Sequence, residues 1–171
     1  MSNGTDEVSI PITRLDLDEA NVGLGLRLAP SGNQKSEFDH RVRLASNIEA
    51  RLNAVILTPT ETWIFYRAIF FPKVFYPCKI TVLSKHEWET ILRPCTGSLL
   101  SKLGFNKHTA RAIVFGPMRL GGIGMRHGYA QQGSEGVAHF LTHVREGKDI
   151  GKMLLNTLSH FNLFPGSYEV Y

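Results

Sequence analysis

A mainly α-helical chain with a small N-terminal β-hairpin is the architecture this sequence predicts, and three observations carry it. Alternation of period two, the strand signal, is confined to Val8-Ile10-Ile12 and Leu24-Leu26-Leu28 near the N-terminus. Two capping boxes, Thr58 with Glu61 and Ser84 with Glu87, each open an apolar stripe. Beyond residue 31, apolar residues recur at spacings of three and four, the helical period. The 171 residues, 43% hydrophobic and 20% charged, suit one folded domain with a modest core.

Residues 1–7 are small, polar and acidic, and read as a flexible terminus. Residues 8–30 read as a hairpin, with the acidic segment Leu15 to Asn21 between its alternating strands. Two strands alone are marginal in water, so a helix or a further sheet is expected to cover them. Residues 31–171 then read as a helical, thumb-like bundle that opens at the turn Pro30-Ser31-Gly32-Asn33. Phe38, Val42, Ala45, Ile48, Leu52 and Val55 form the first stripe, with Asn33 or Ser36 as its cap and Arg41, Arg43 and Arg51 turned away. Thr58 and Pro59 start a helix that is apolar nearly all round (Trp63, Tyr66, Ile69, Phe70) and is predicted to end before Pro72. An irregular aromatic segment, Lys73 to Lys79, follows. Ser84 starts the next helix, with Trp88, Ile91, Cys95, Leu99 and Leu103 inward, Gly104 as its C-terminal cap, and a kink or break at Pro94. Asn106 to Val114 reads as a short basic turn. Tyr129 to Glu146 is predicted to turn Val137, Phe140, Leu141 and Val144 inward. Asp149 opens a last helix with Met153, Leu154, Leu158 and Phe161 inward, ended by Phe164-Pro165-Gly166.

Charge is unevenly spread. Residues 90–134 hold no Asp or Glu but six basic residues, Arg93, Lys102, Lys107, Arg111, Arg119 and Arg126, a local charge of +6 within a chain of net +4. A local basic face is what a polyanion reads. Lysine and arginine contacts to phosphate need no exact geometry, so Lys102, Lys107, Arg111, Arg119 and Arg126, with Lys35 and Arg41, form a candidate track. Tyr66, Phe75, Tyr76 and Tyr129 could stack on bases, although aromatic residues in helical stripes are more often core. Inside the same block, Gly121-Gly122 and Gly124 permit a positive φ or a close approach, and Pro117 fixes the entry. The plain reading of that stretch is a tight connection between helices.

Other chemistries find little support. Asp16 and Asp18 stand alone, where metal-dependent polymerases and nucleases need several converging carboxylates. His139 and His143 have the spacing of two zinc ligands, but Phe140 stands where the base of a His-Glu-x-x-His motif would be. Gly23-Leu24-Gly25 starts like a dinucleotide fingerprint, yet Leu28 occupies the third glycine's place. Cys78 and Cys95 form no Cys-x-x-Cys pair and read as small buried hydrophobes in a reducing, intracellular setting. The longest apolar run, near Trp63 to Phe71, is too short for a membrane span. The sequence offers no catalytic centre of its own.

Three stretches taken in order resemble the reverse transcriptases of non-LTR retrotransposons. Val22 to Asn33 is similar to the strand and turn that follow the catalytic palm. Trp63 to Pro77 looks like a helix and proline-tyrosine segment further along, and Arg111 to Met125, which ends Phe115-Gly116-Pro117 to Gly121-Gly122-Ile123-Gly124-Met125, resembles a glycine-rich stretch beyond it. The resemblance spans about residues 22–160 and implies the end of a palm, the thumb and the region after it. It implies that Gly23, Leu24, Gly25, Leu26 and Arg27 are the primer grip and that the helices lie along a template–primer duplex, RNA–DNA or RNA. The family's Tyr/Phe-x-Asp-Asp motif is missing, so no polymerase activity and no cofactor are expected here; magnesium would belong to the absent palm. The expected partners are nucleic acid, bound without sequence preference, and the missing palm and fingers, with no membrane. The alternatives are a helical protein–protein interaction module docking through Trp63, Phe70, Phe71 and Trp88, or a remnant without function.

Overall fold

The computed structural model describes residues 16–163 and is mainly α-helical with one small antiparallel hairpin. The predicted strand Val8 to Ile12, the terminus 1–7 and the stop at Phe164-Pro165-Gly166 lie outside these residues. Strands β1 (Asn21–Gly23) and β2 (Leu26–Leu28) pair in the register Asn21↔Leu28, Val22↔Arg27, Gly23↔Leu26. The run Leu24 to Leu28 is therefore not one strand. It bends at Leu24-Gly25, both at positive φ (53° and 81°), as a two-residue type I′ turn requires. Leu26 is buried, whereas Leu24 is 90% exposed at the tip. The cover comes from the first helix, whose Glu37 Oε2 accepts the Arg27 N–H at 2.8 Å, and from Tyr76, whose hydroxyl donates to the Leu24 carbonyl at 2.9 Å.

Helix α1 (Lys35–Ala54) buries Glu37, Arg41, Ala45, Ile48 and Leu52, a stripe rotated from the predicted one. Arg41 does not point to solvent. It is paired with Glu37, and its Nη1 donates to the Lys73 carbonyl at 2.7 Å. Burial of this pair is tolerable because both partners are hydrogen-bonded. Thr58 and Glu61 form the expected capping box at α2 (Pro59–Phe65). The helix does not stop before Pro72. It widens into a π turn over Tyr66–Phe70, where the Phe71 N–H reaches the Tyr66 carbonyl, and continues as α3 (Phe71–Phe75). That widening lets the chain absorb a residue that lacks an N–H while Tyr66, Phe70, Val74 and Phe75 stay inward.

After a 3₁₀ turn (Tyr76–Lys79), the Ser84–Glu87 capping box opens α4 (Lys85–Lys102), which runs unbroken through Pro94. Trp88, Ile91, Cys95, Leu99 and Leu100 are fully buried, and α4 lies along α1. Gly104 (φ +84°) ends α4 as predicted, with the Phe105 N–H donating to the Leu100 carbonyl at 2.9 Å. Trp88, Phe70, Phe71 and Trp63, the docking face of the alternative protein–protein reading, are core or half-buried. Helices α5 (Arg111–Phe115), α6 (Gly128–Glu146) and α7 (Asp149–Leu163) complete the described chain. The predicted inward residues of the last pair are largely outward: Val137, Leu141, Met153 and Leu158 are exposed. The helical period gives a face but does not guarantee a layer to cover it. Among the described residues, no helix is long and apolar enough to cross a membrane.

Candidate nucleic-acid interface

The glycine stretch is a structural return. From α5 the chain passes a short 3₁₀ turn (Met118–Leu120), reverses at Gly121 (φ +82°) and runs back over α5. Ile123, Gly124 and Met125 donate to the carbonyls of Ile113, Gly116 and Val114 at 2.8, 2.9 and 3.1 Å. Gly122 lies so close that an added Cβ would stand 2.2 Å from the Gly116 carbonyl oxygen. This return delivers His127 and the start of α6 beside α4 and α5.

Trp88 sets the position of α6. Its six-membered ring lies where a Cβ on Gly128 would be, 2.3 Å from Trp88 Cε3, so only glycine allows this approach. The indole Nε1 donates to Gln132 Oε1 at 2.9 Å, and the same oxygen accepts the Leu83 N–H at 2.9 Å. Gln132 Nε2 donates to the Leu83 carbonyl at 3.0 Å. The α6 start is thereby fixed to α4 by close contact and a satisfied buried network.

Between these elements lies a groove of about 700 Å³ lined by Lys85, Glu89, Leu92, Arg93 and Thr96 of α4, Arg111 and Phe115 of α5, and His127, Tyr129 and Ala130. Three cations face one carboxylate. His127 sits edge-on to the Phe115 ring at 4.9 Å. Burial lowers its pKa first, Lys85 and Arg111 lower it further, and Glu89 opposes them. Helix α6 begins here with no side-chain cap and no acidic residue in its first turn, so its free N–H groups add to the positive potential.

The predicted basic track is not one surface. Of its members only Arg111 enters this groove, joined by Arg93 from the same acid-free block and by Lys85, which lies outside that block. Lys102 and Lys107 line a second groove of about 470 Å³ with Glu49, on the roughly opposite flank of α4. The Lys102 ammonium is tied to the Val55 carbonyl at 2.7 Å, closing the end of α1. Arg126 lies over the Phe71 ring at 4.9 Å, and its Nη1 donates to Gln131 Oε1 at 2.8 Å. Arg119 is exposed on the glycine return. Gly23, Leu24, Gly25, Arg27 and Lys35 gather at the hairpin and the α1 start, with Arg41 buried beneath. Charges scattered along a chain need not share a face, because helical register and chain return decide where each points.

The remaining candidates are structural. Tyr66 and Phe75 are core; the Tyr66 hydroxyl accepts the Arg126 N–H at 2.8 Å. Cys78 and Cys95 are buried, and burial pushes both thiols up to about 12. The His139 and His143 rings meet at right angles, 4.4 Å apart. Among the described residues, no three His, Cys, Asp or Glu side chains gather to hold a metal ion. In comparisons with known proteins, no family model, no curated protein and no solved structure matches this chain.

Proposed function

We propose that this chain holds nucleic acid by its sugar–phosphate backbone at the groove between α4, α5 and the start of α6, as a non-catalytic remnant of a retrotransposon reverse transcriptase. The carrying observation is the convergence of Lys85, Arg93 and Arg111, from two helices, on one groove that also holds Tyr129. Phosphate contacts from such residues give affinity without base specificity. The three ordered stretches quoted above support the lineage. The hairpin and the Lys102–Lys107 flank are separate from this groove and are not needed for the contact.

Fluorescence anisotropy with labelled oligonucleotides tests the reading. Three phosphate contacts imply a loss of affinity of about 20- to 40-fold between 50 and 200 mM salt. The double substitution Arg93→Glu, Arg111→Glu should abolish most binding, while Lys107→Glu should change it little. No binding at low salt, or binding that ignores the double substitution, would refute the proposal.

A further inference from the structure

We infer that the groove takes one unpaired nucleotide of a single strand, RNA or DNA, and not the backbone of a base-paired duplex. This rests on the nucleic-acid reading above and names the form that the site accepts.

The groove is concave, and its volume of about 700 Å³ is that of a site for a small ligand. Its three cations, Lys85, Arg93 and Arg111, are exposed, whereas Leu92 and Thr96 in the same lining are almost fully buried. Thr96 has no hydroxyl proton to offer, since its Oγ1 already donates to the Leu92 carbonyl at 2.8 Å. Leu92 and Thr96 thus form a closed floor, and the accessible apolar part of the lining comes from half-buried Phe115 and exposed Ala130. A duplex presents phosphates on a convex surface and keeps its base faces stacked. It could touch the exposed cations but would leave the apolar lining unfilled. An unstacked base would cover it.

Two side chains suit a base better than a phosphate. Tyr129 is half exposed in the first turn of α6 and lines the groove, and an aromatic ring there can stack on a base. Glu89 sits among the cations yet is ion-paired with none of them among the described residues. A carboxylate repels phosphate. It accepts a hydrogen bond from an exocyclic amino group, which an unpaired cytosine offers and uracil does not. The groove therefore holds cations for the phosphate, an aromatic ring for the base face and one acceptor for the base edge.

The test compares labelled eight-nucleotide single strands, RNA and DNA, with blunt duplexes of the same sequence in 50 mM salt. The single strands should bind at least tenfold more tightly. Tyr129→Ala should weaken single-strand binding about tenfold or more and leave duplex binding unchanged, while Tyr129→Phe retains it. Cytosine tracts should outbind uracil tracts, and Glu89→Gln should narrow the gap. Equal affinity for duplex, or indifference to Tyr129→Ala, overturns the inference while leaving the backbone reading intact. Binding of neither form, or binding that survives Arg93→Glu with Arg111→Glu, removes the reading beneath it and this inference as well.

Discussion

Two glycines of α6 give opposite predictions for the same substitution. At Gly128 an added Cβ would stand 2.3, 2.4 and 2.9 Å from Trp88 Cε3, Cδ2 and Cγ. The indole cannot swing away. It is fully buried, stacked on Phe75 at 5.5 Å and hydrogen-bonded to Gln132. Overpacking of this kind costs about 1–3 kcal/mol, and a strained or broken buried hydrogen bond adds about 1 kcal/mol. Gly128→Ala should therefore destabilise the fold by about 3 kcal/mol, a fall in Tm of about 6–12 °C for a chain of this size. Gly133, five residues later, faces open space, with nothing within 4 Å of an added Cβ. There alanine gains about 1 kcal/mol of helix propensity, so Gly133→Ala should raise Tm by about 2–4 °C. Thermal unfolding followed by circular dichroism at 222 nm measures both. Equal shifts in the two variants, or a Gly128→Ala variant as stable as the parent, would refute the argument that Trp88 locks the α6 start.

Three further outcomes follow from the geometry. Leu24 holds a positive φ with its side chain 90% exposed, so Leu24→Asn, which suits a type I′ turn, should stabilise by about 1 kcal/mol in a urea melt. Glu37→Gln leaves the buried Arg41 guanidinium without its counter-charge and should cost about 3–5 kcal/mol by the same measurement; an unchanged midpoint would mean the pair contributes nothing. His127 is faced by Lys85 and Glu89 from α4 and Arg111 from α5, and its pKa is lowered. The neutral ring thus favours the fold above the ordinary value near 6.5, and that contribution is lost as pH falls below it. A bound polyanion favours the imidazolium instead, so affinity should rise from pH 8 to pH 5.5 and this rise should vanish in His127→Gln.

Local chemistry was legible in the sequence. The Thr58–Glu61 and Ser84–Glu87 boxes and the Gly104 stop are each decided within a few residues, and all three are present. Features decided by distant partners were not. Leu24-Leu26-Leu28 alternates like a strand, and nothing local announces a leucine at positive φ. Arg41 reads as a surface charge until Glu37 and the carbonyl of Lys73, 32 residues away, are seen to satisfy it. Pro72 reads as a helix stop because a π turn is a tertiary accommodation. For the candidate site, Lys85, Glu89 and Arg93 lie four apart and so share a face of α4, a signal present in the register. The acid-free block also contains Lys102 and Lys107, which line the groove on the other flank of the helix. The addition of Arg111, His127 and Tyr129 depends on the glycine return, which periodicity does not encode.

The indole behind the α6 start has one more use. The chain has two tryptophans, and Trp88 sits in a dry setting directly under the backbone of Gly128, next to the tyrosine that faces solvent. Its emission should report small displacements of that helix without any attached dye. The protein thus carries an internal optical gauge beneath Gly128, one residue away from the groove's His127 and Tyr129.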